Sequence, residues 1–484
     1  MTGRRLMVLG TGSDVGKSLL VAGLARAFSR RGLSVAPFKA QNMSNNAAVT
    51  ADGGEIGRAQ ALHARAAGLA PVSDMNPVLL KPETDVEAQV VVQGRVLGRY
   101  SAAAYQRLKP GLLPAVCASL SRLADRHDLV LIEGAGSGAE RYLRAQDISN
   151  MGLAETADLP VVLLGDDSRG GVTAAAIGHH RLWTASERAR CKGLIVNKFR
   201  GDPGVFAPAA RDIRNETGWP VLGLLRWSQT ARSLPEEDSL GHGRQTGSGR
   251  GLVIAVPELP RLANADDIDP LAAEPGVDLR WVRPGRPIPG DTDVVLLLGS
   301  KTTRAALASL RAEGWDIDIA AHLRRGGRVA GLCAGFQMLG RRVADPDGIE
   351  GPAGETAGLG LLEVDTVLTA DKRLVQIEAT DALTGTALRG YEMHMGRTSG
   401  EGLSRPWLRP NGRAEGAVSP DGKVMGCYLH GLFAADGFRG QWLTAMGGTV
   451  PAQDQAARLD RALDTLASEI EADLDLDALL SLAR

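Results

Sequence analysis

Residues 6–18 read Leu-Met-Val-Leu-Gly10-Thr11-Gly12-Ser-Asp-Val-Gly16-Lys17-Ser18. An apolar run, a glycine-rich bend and a helical pattern follow one another without a gap. Such a strand–loop–helix junction aims backbone N–H groups and a helix N-terminus at an anion. In this reading Gly10, Thr11, Gly12 and Gly16 shape a phosphate loop, Lys17 reaches the outer phosphates of a nucleotide, and the Ser18 hydroxyl ligates Mg²⁺. The spacing is unusual: the first glycine of the common G-x-x-x-x-G-K-[ST] pattern would fall on Thr11, and Gly10 stands one residue earlier.

Working outward, short apolar runs alternate with helical patterns. Strands are expected at 6–10, 33–38, 129–134, 160–165, 193–197 and 220–225, with a helix after Lys17 whose Leu20, Leu24, Ala27 and Phe28 share one face. Near 228–251 the apolar runs give way to Gly, Ser, Arg and acidic residues, which marks a boundary. A second set of runs follows at 252–257, 294–299, 328–333, 359–364 and 423–430. The end of the chain carries Leu459, Leu463, Leu466, Ile470, Leu474 and Leu479 at roughly helical spacing. The expectation is an α/β protein with two doubly wound, mostly parallel-sheet domains. They are placed at 1–228 and 251–445, joined by a linker at 229–250 and followed by a helical tail at 446–484.

A chain of 484 residues is long for one core, so two or three domains are also what length suggests. The 55 basic side chains are matched by 56 acidic ones, so the basic excess of a nucleic-acid-binding protein is missing. Four cysteines with no C-x-x-C pair make neither a disulfide framework nor a metal site. No signal peptide or spanning run is seen. A cytoplasmic protein bound to neither membrane nor nucleic acid is expected, with homo-oligomerisation left open.

Two further features carry chemistry. Glu133, ending the run in IEGAG, is placed to hold a metal, and Asn197, at another strand end, to contact a purine. The string Lys39-Ala-Gln41-Asn42-Met-Ser follows the second strand, at the sheet edge where open α/β folds bind ligands. Lys39, Gln41 and Asn42 are therefore candidate substrate contacts, and Asp147 and Asp52 weaker candidates for substrate or metal positioning. The second feature is Gly331-Leu-Cys333-Ala334-Gly335-Phe-Gln337, again between a strand and a helix. Small residues frame a nucleophile on a sharp turn, and the helix N-terminus favours the thiolate. The Ala334 N–H is placed for an oxyanion, with help from the turn at Gly299-Ser300-Lys301. His430 is the expected base, and His394 competes for the role.

At this point LCAGFQMLG with YLHGLF resembles the glutaminase domain of class I glutamine amidotransferases. GTGSDVGKS with IEGAG resembles the dethiobiotin synthetase-like ATPases, which share the displaced first glycine. The strings FKAQNMSNNAAVT (38–50), EIGRAQA (55–61), MNPVLLKP (75–82), DISNMGLAE (147–155) and NKFRGD (197–202) resemble the cobyric acid synthase family of corrin amidotransferases. That resemblance implies ATP, Mg²⁺ and glutamine as co-reactants and adenosylcobyrinic acid a,c-diamide as substrate, amidated at carboxylates b, d, e and g. Ammonia released by Cys333 and His430 would travel a sheltered path, since ammonium is not nucleophilic. The wider family places a glutamate two residues after the histidine. That position is Leu432 here, so the expectation is a Cys-His dyad. A cobyrinic acid a,c-diamide synthase is the nearest competitor, and the strings at 38–61 count against it. A nucleotide-switch ATPase with a dead glutaminase would have lost Cys333 or His430, and both are present.

Overall fold

The computed structural model describes residues 3–235, 251–448 and 453–484; most of the expected linker lies outside these. The chain forms two units. The first comprises Met1–Ser44, Thr50–Glu237 and Leu459–Arg484, and the second Asn45–Val49 and Asp238–Arg458.

Strands of the first unit include β1 (Arg4–Gly10), β2 (Val35–Lys39), β3 (Gln41–Met43), β4 (Val78–Pro82), β5 (Glu87–Val92), β6 (Arg95–Ser101), β7 (Leu129–Glu133), β8 (Val161–Asp166), β9 (Cys191–Phe199) and β10 (Val221–Arg226). Six of them make a parallel sheet in the order β10-β9-β8-β1-β7-β2. Burial on both faces explains why these strands read as continuous apolar runs rather than alternations. Strands β3 to β6 form a small separate sheet. Helix α1 (Lys17–Arg30) follows the phosphate loop. Helix α2 (Ala102–Ala124) was not legible, because Pro110 and Pro114 inside it break the pattern that marks a helix.

The second unit is built on β11 (Leu252–Pro257), β12 (Leu262–Ala263), β13 (Val277–Val282), β14 (Val294–Leu297), β15 (Gly299–Ser300), β16 (Arg328–Leu332), β17 (Arg342–Asp345), β18 (Gly354–Ala357), β19 (Asp365–Asp381), β20 (Ala387–Ser399), β21 (Ala417–Val418), β22 (Val424–Cys427) and β23 (Leu429–His430). Its main sheet runs β13-β11-β14-β16-β22-β21, parallel except for the last strand. A second sheet, β18-β17-β19-β20-β23, is centred on the antiparallel pair β19–β20.

Three expected strands come out differently, and of these the run 294–299 breaks at Leu298, with β14 in the main sheet and β15 paired with β12. The run 359–364 is irregular, because its N–H groups are spent on a helix end. Leu359 donates to the Met338 carbonyl, and Leu361 and Leu362 both donate to that of Leu339, at the close of α3 (Ala334–Leu339). Leu362 and Val364 stay buried without being in a ladder. The run 423–430 breaks at Tyr428. Its first half completes the main sheet, and β23 pairs with β20 in the second sheet, Tyr391 opposite His430.

The final helices are α4 (Gln455–Asp473) and α5 (Leu476–Leu482). From Leu459 onward they belong to the first unit, with Leu463, Leu466 and Ile470 buried in a cluster with Leu20 and Leu24 of α1. Arg26 pairs with Asp464 at 2.8 Å and Arg226 with Asp473 at 2.7 Å around this contact.

Candidate active sites

The phosphate loop curls tightly between β1 and α1. Lys17 Nζ donates to the carbonyls of Gly12 (2.8 Å) and Gly136 (2.9 Å), which holds its ammonium inside the bend. A Cβ on Gly10 would lie 2.8 Å from both Lys17 Nζ and Val15 Cγ2, which accounts for the displaced glycine. Gly16, at the N-cap of α1, has φ +96°, and a Cβ there would stand 2.2 Å from Asn197 Nδ2. The Thr11 N–H is drawn to the Leu164 carbonyl (2.9 Å), fixing the loop to β8. Asn197 donates to the Val15 carbonyl at 2.8 Å, so it also braces the loop.

Sheet register gathers the next groups. Val8 and Lys39 both lie opposite Glu133, so β1, β7 and β2 deliver their ends side by side. Ser18 Oγ donates to Glu133 Oε1 (2.8 Å), and Lys39 Nζ pairs with the same oxygen (3.0 Å). Burial pushes the Glu133 carboxyl up, but the Lys39 and His63 charges and the Ser18 hydroxyl outweigh it and hold it below the usual range. Its Oε2 is buried with no hydrogen-bond partner among the described residues. A buried carboxylate oxygen beside a loop hydroxyl is the donor set a hard divalent cation takes.

Asp52 does not join this group. Its carboxylate, exposed in a turn, accepts from Ser73 N (3.1 Å), Ser73 Oγ (3.0 Å) and Thr50 Oγ1, and so closes a local loop. Asn42 is likewise a structural clamp. It is buried, donates to Gln60 Oε1 (2.8 Å) and accepts from Met43 N (2.9 Å). Gln41 and Asp147 line a cavity of about 240 Å³ together with Ser13 of the phosphate loop. Asp147 shapes its wall: its oxygens accept from the N–H groups of Ser149, Asn150 and Gly152. Gln41 accepts from Tyr105 Oη at 2.8 Å. Lys109 in the same wall is a residue that motif reading missed, since no pattern marks it inside a helix. It is 4% exposed, and its ammonium forms no hydrogen bond or ion pair among the described residues. Burial lowers its pKa, only partly offset by the Asp147 charge.

Cys333 sits at the N-cap of α3 with φ 54° and ψ −111°, a conformation rare for any residue but glycine. Such strain costs about 1–3 kcal/mol and is found where a site requires it. The glycine frame follows from close packing. A Cβ on Gly335 would lie 2.1 Å from the Leu297 carbonyl oxygen, and one on Gly331 would lie 2.6 Å from the Gly335 carbonyl carbon.

His430 is 2% exposed. Its Nδ1 donates to Asp267 Oδ2 at 2.6 Å, while Asp267 Oδ1 accepts from the Gly431 N–H at 2.7 Å. Burial works against the imidazolium. The charges of Asp267 and Cys333 and their hydrogen bonds overcome it and raise the His430 pKa to about 10. The Tyr391 ring stacks on the imidazole at 5.3 Å. The expected dyad is therefore a triad, with the acid supplied by a short turn at Ala265–Ile268 that begins at Asn264 in the left-handed region (φ 55°). Nothing near Asp267 in the sequence distinguishes it from other turn acids. His394 does not compete: it stacks on Tyr428 at 3.7 Å, and burial, with help from the His430 charge, pushes its pKa down to about 3.

Of the oxyanion candidates, Ala334 opens the helix directly after Cys333. The Ser300 hydroxyl is occupied, donating to the Pro260 carbonyl (2.9 Å) and accepting from Thr302 N (3.1 Å). Its neighbour Gly299 is the close one. A Cβ there would stand 3.6 Å from both Cys333 Cβ and His430 Cε1. A cavity of about 450 Å³ in this unit is lined by Phe336 of α3, Glu392, His394, Arg397 and Tyr428.

Comparison with known proteins matches a domain to each unit. Residues 6–240 match the CobQ/CobB/MinD/ParA nucleotide binding domain, and residues 253–438 match the CobB/CobQ-like glutamine amidotransferase domain. The cobyric acid synthase of Rhodobacter capsulatus is 57% identical over 479 residues, covering 99% of each chain. That of Paracoccus denitrificans is also 57% identical over 479 residues, with 99% of each chain covered. That of Bradyrhizobium diazoefficiens is 56% identical over 485 residues, covering 99% of this chain and all of the relative. Two sites on one polypeptide, matched end to end by such relatives, place the chain in the cobyric acid synthase family of glutamine-dependent amidotransferases.

Proposed function

We propose that the chain makes cobyric acid by amidating carboxylates b, d, e and g of adenosylcobyrinic acid a,c-diamide, each with one ATP and one glutamine. The observation that carries this is His430, held by Asp267 at 2.6 Å and set beside Cys333 at the Gly299 bend, in a chain that also holds a phosphate loop. The Cys333 thiolate attacks the side-chain amide carbon of glutamine. His430 protonates the departing nitrogen, the C–N bond breaks and ammonia leaves a glutamyl thioester. Neutral His430 then takes a proton from water, which releases glutamate and restores the thiolate. The N–H groups of Ala334 and of the β15 strand at Gly299–Ser300 stabilise the oxyanion in both steps. The 450 Å³ cavity takes the glutamine, with Arg397 suited to its carboxylate.

In the first unit Lys17, Lys39 and the loop N–H groups neutralise the outer phosphates while a corrin carboxylate attacks the γ-phosphorus. ADP leaves, an acyl phosphate forms, and ammonia displaces phosphate from the acyl carbon. Ser18 and Glu133 would hold Mg²⁺, which supplies charge neutralisation at the phosphates. Lys109, in the cavity beside Ser13, is suited to anchor a second carboxylate of the polycarboxylate substrate.

The cytoplasm is the proposed location; among the described residues no helix is long and apolar enough to cross a membrane. Reciprocal variants test the two-site reading. Cys333→Ala should lose glutamine-dependent amidation and keep the ammonium-dependent reaction. Lys17→Ala should lose both by at least about 10²-fold, while its glutaminase survives. Loss of ammonium-dependent turnover in a folded Cys333→Ala protein would contradict it.

A further inference from the structure

Lys109 lies within α2 and lines the cavity of about 240 Å³ that also borders Ser13 of the phosphate loop. It is 4% exposed, and its ammonium forms no hydrogen bond or ion pair among the described residues. The groups around it are already committed. Tyr105, whose ring centre lies 5.8 Å from Lys109 Nζ, donates its hydroxyl to Gln41 Oε1 at 2.8 Å. Asp147, the acid whose charge reaches Lys109, accepts from the backbone N–H groups of Ser149, Asn150 and Gly152. Burial therefore lowers the Lys109 pKa more than Asp147 raises it.

A buried ammonium without a counter-ion is costly, and a fold keeps one where an anion arrives to pair with it. The size of the cavity says how much of that anion enters. Pockets that enclose a whole small molecule measure about 300–1,000 Å³. At about 240 Å³ this one admits an acidic side arm and leaves a macrocycle outside. Tyr142 lines the same cavity and is 78% exposed, an aromatic surface on which an apolar ring can rest. We propose that the cavity is a socket for one carboxylate arm of the corrin, ion-paired to Lys109, while a different arm meets the γ-phosphate at the loop and Tyr142 packs on the ring. The proposal rests on the corrin reading above and deepens it, because such a socket selects by charge. A carboxylate arm is held and an amidated arm is not, so the grip on the corrin weakens as the four amidations proceed.

The test is ammonium-dependent amidation of adenosylcobyrinic acid a,c-diamide by Lys109→Met, which keeps the helix preference and removes the charge. Its KM for the corrin should rise on the order of 10- to 100-fold with the ATP KM unchanged, and Lys109→Arg should recover most of the loss. Melting temperature separates binding from structure. Without corrin, Lys109→Met should melt at or above the wild-type temperature, because an unpaired buried charge is gone. A lower melting temperature marks Lys109 as structural and counts against the socket. A corrin KM at the wild-type value in folded Lys109→Met overturns the proposal. So does a raised ATP KM beside an unaltered corrin KM, which puts the ammonium on the nucleotide. Should Lys109→Met fail to fold, Tyr142→Ala changes only an exposed position. A raised corrin KM in that variant supports the socket, and an unaltered one contradicts it. If the wild type itself leaves the a,c-diamide unamidated with ATP and ammonium, the corrin reading falls and takes the socket with it.

Discussion

Asp267 lies 163 residues before the histidine it orients. It fixes the tautomer and stabilises the charged ring, the role a triad carboxylate plays beside a catalytic imidazole. Asp267→Asn should lower glutamine-dependent turnover by about 10³- to 10⁴-fold. Ammonium-dependent amidation should stay at wild-type level. A pH titration provides a second check. The His430 pKa is raised in the fold to about 10 from an ordinary 6.5, so its stabilising contribution is complete below about pH 6.5 and is lost as pH climbs through about 10. Melting temperature should fall over that window in the wild type, and less in Asp267→Asn. Cys333, His430 and Lys17 were legible because each stands in a local frame whose glycines or strand ends the chemistry requires. Asp267 was not, because the geometry that sets it on His430 is entirely tertiary. For Asp52 and Asn42 the reverse holds: residues suited to ligands proved suited equally to turns and clamps.

At the scale of elements, parallel strands buried on both faces declared themselves as apolar runs, and all six of the first sheet stood where the runs predicted. The long pair β19–β20 did not, because much of it is half-exposed and its side chains mix charges with apolar residues. The chain-terminal helices pack so closely that glycine is required beneath them. A Cβ on Gly23 would lie 2.2 Å from Ile470 Cδ1, and one on Gly223 equally close to Leu474 Cδ2. Gly23→Val should therefore cost about 1–3 kcal/mol in chemical denaturation through overpacking. It should leave glutaminase activity in place. Unaltered stability would show that the helices yield freely at that contact. Gly335→Ala has no such room, with rigid backbone at 2.1 Å, and should remove glutamine use by displacing Cys333.

For the whole molecule, two folds with separate cores divide one reaction. One core holds the phosphate loop and the other the strained cysteine, each in a sheet of its own. The division follows from chemistry: forming an acyl phosphate needs clustered cations around a nucleotide, whereas opening a glutamine amide needs a thiolate beside a protonated base. The central claim is that the pair serves four amidations of one corrin. The direct measurement is the product mass after incubating the protein with Mg²⁺-ATP, glutamine and adenosylcobyrinic acid a,c-diamide. Each carboxyl converted to an amide lowers the mass by about one unit by simple exchange of hydroxyl for amine at the acyl carbon. The account predicts a ladder of four steps, stopped by Cys333→Ala and restored by ammonium chloride. An inert a,c-diamide beside cobyrinic acid that gains two amides would contradict it.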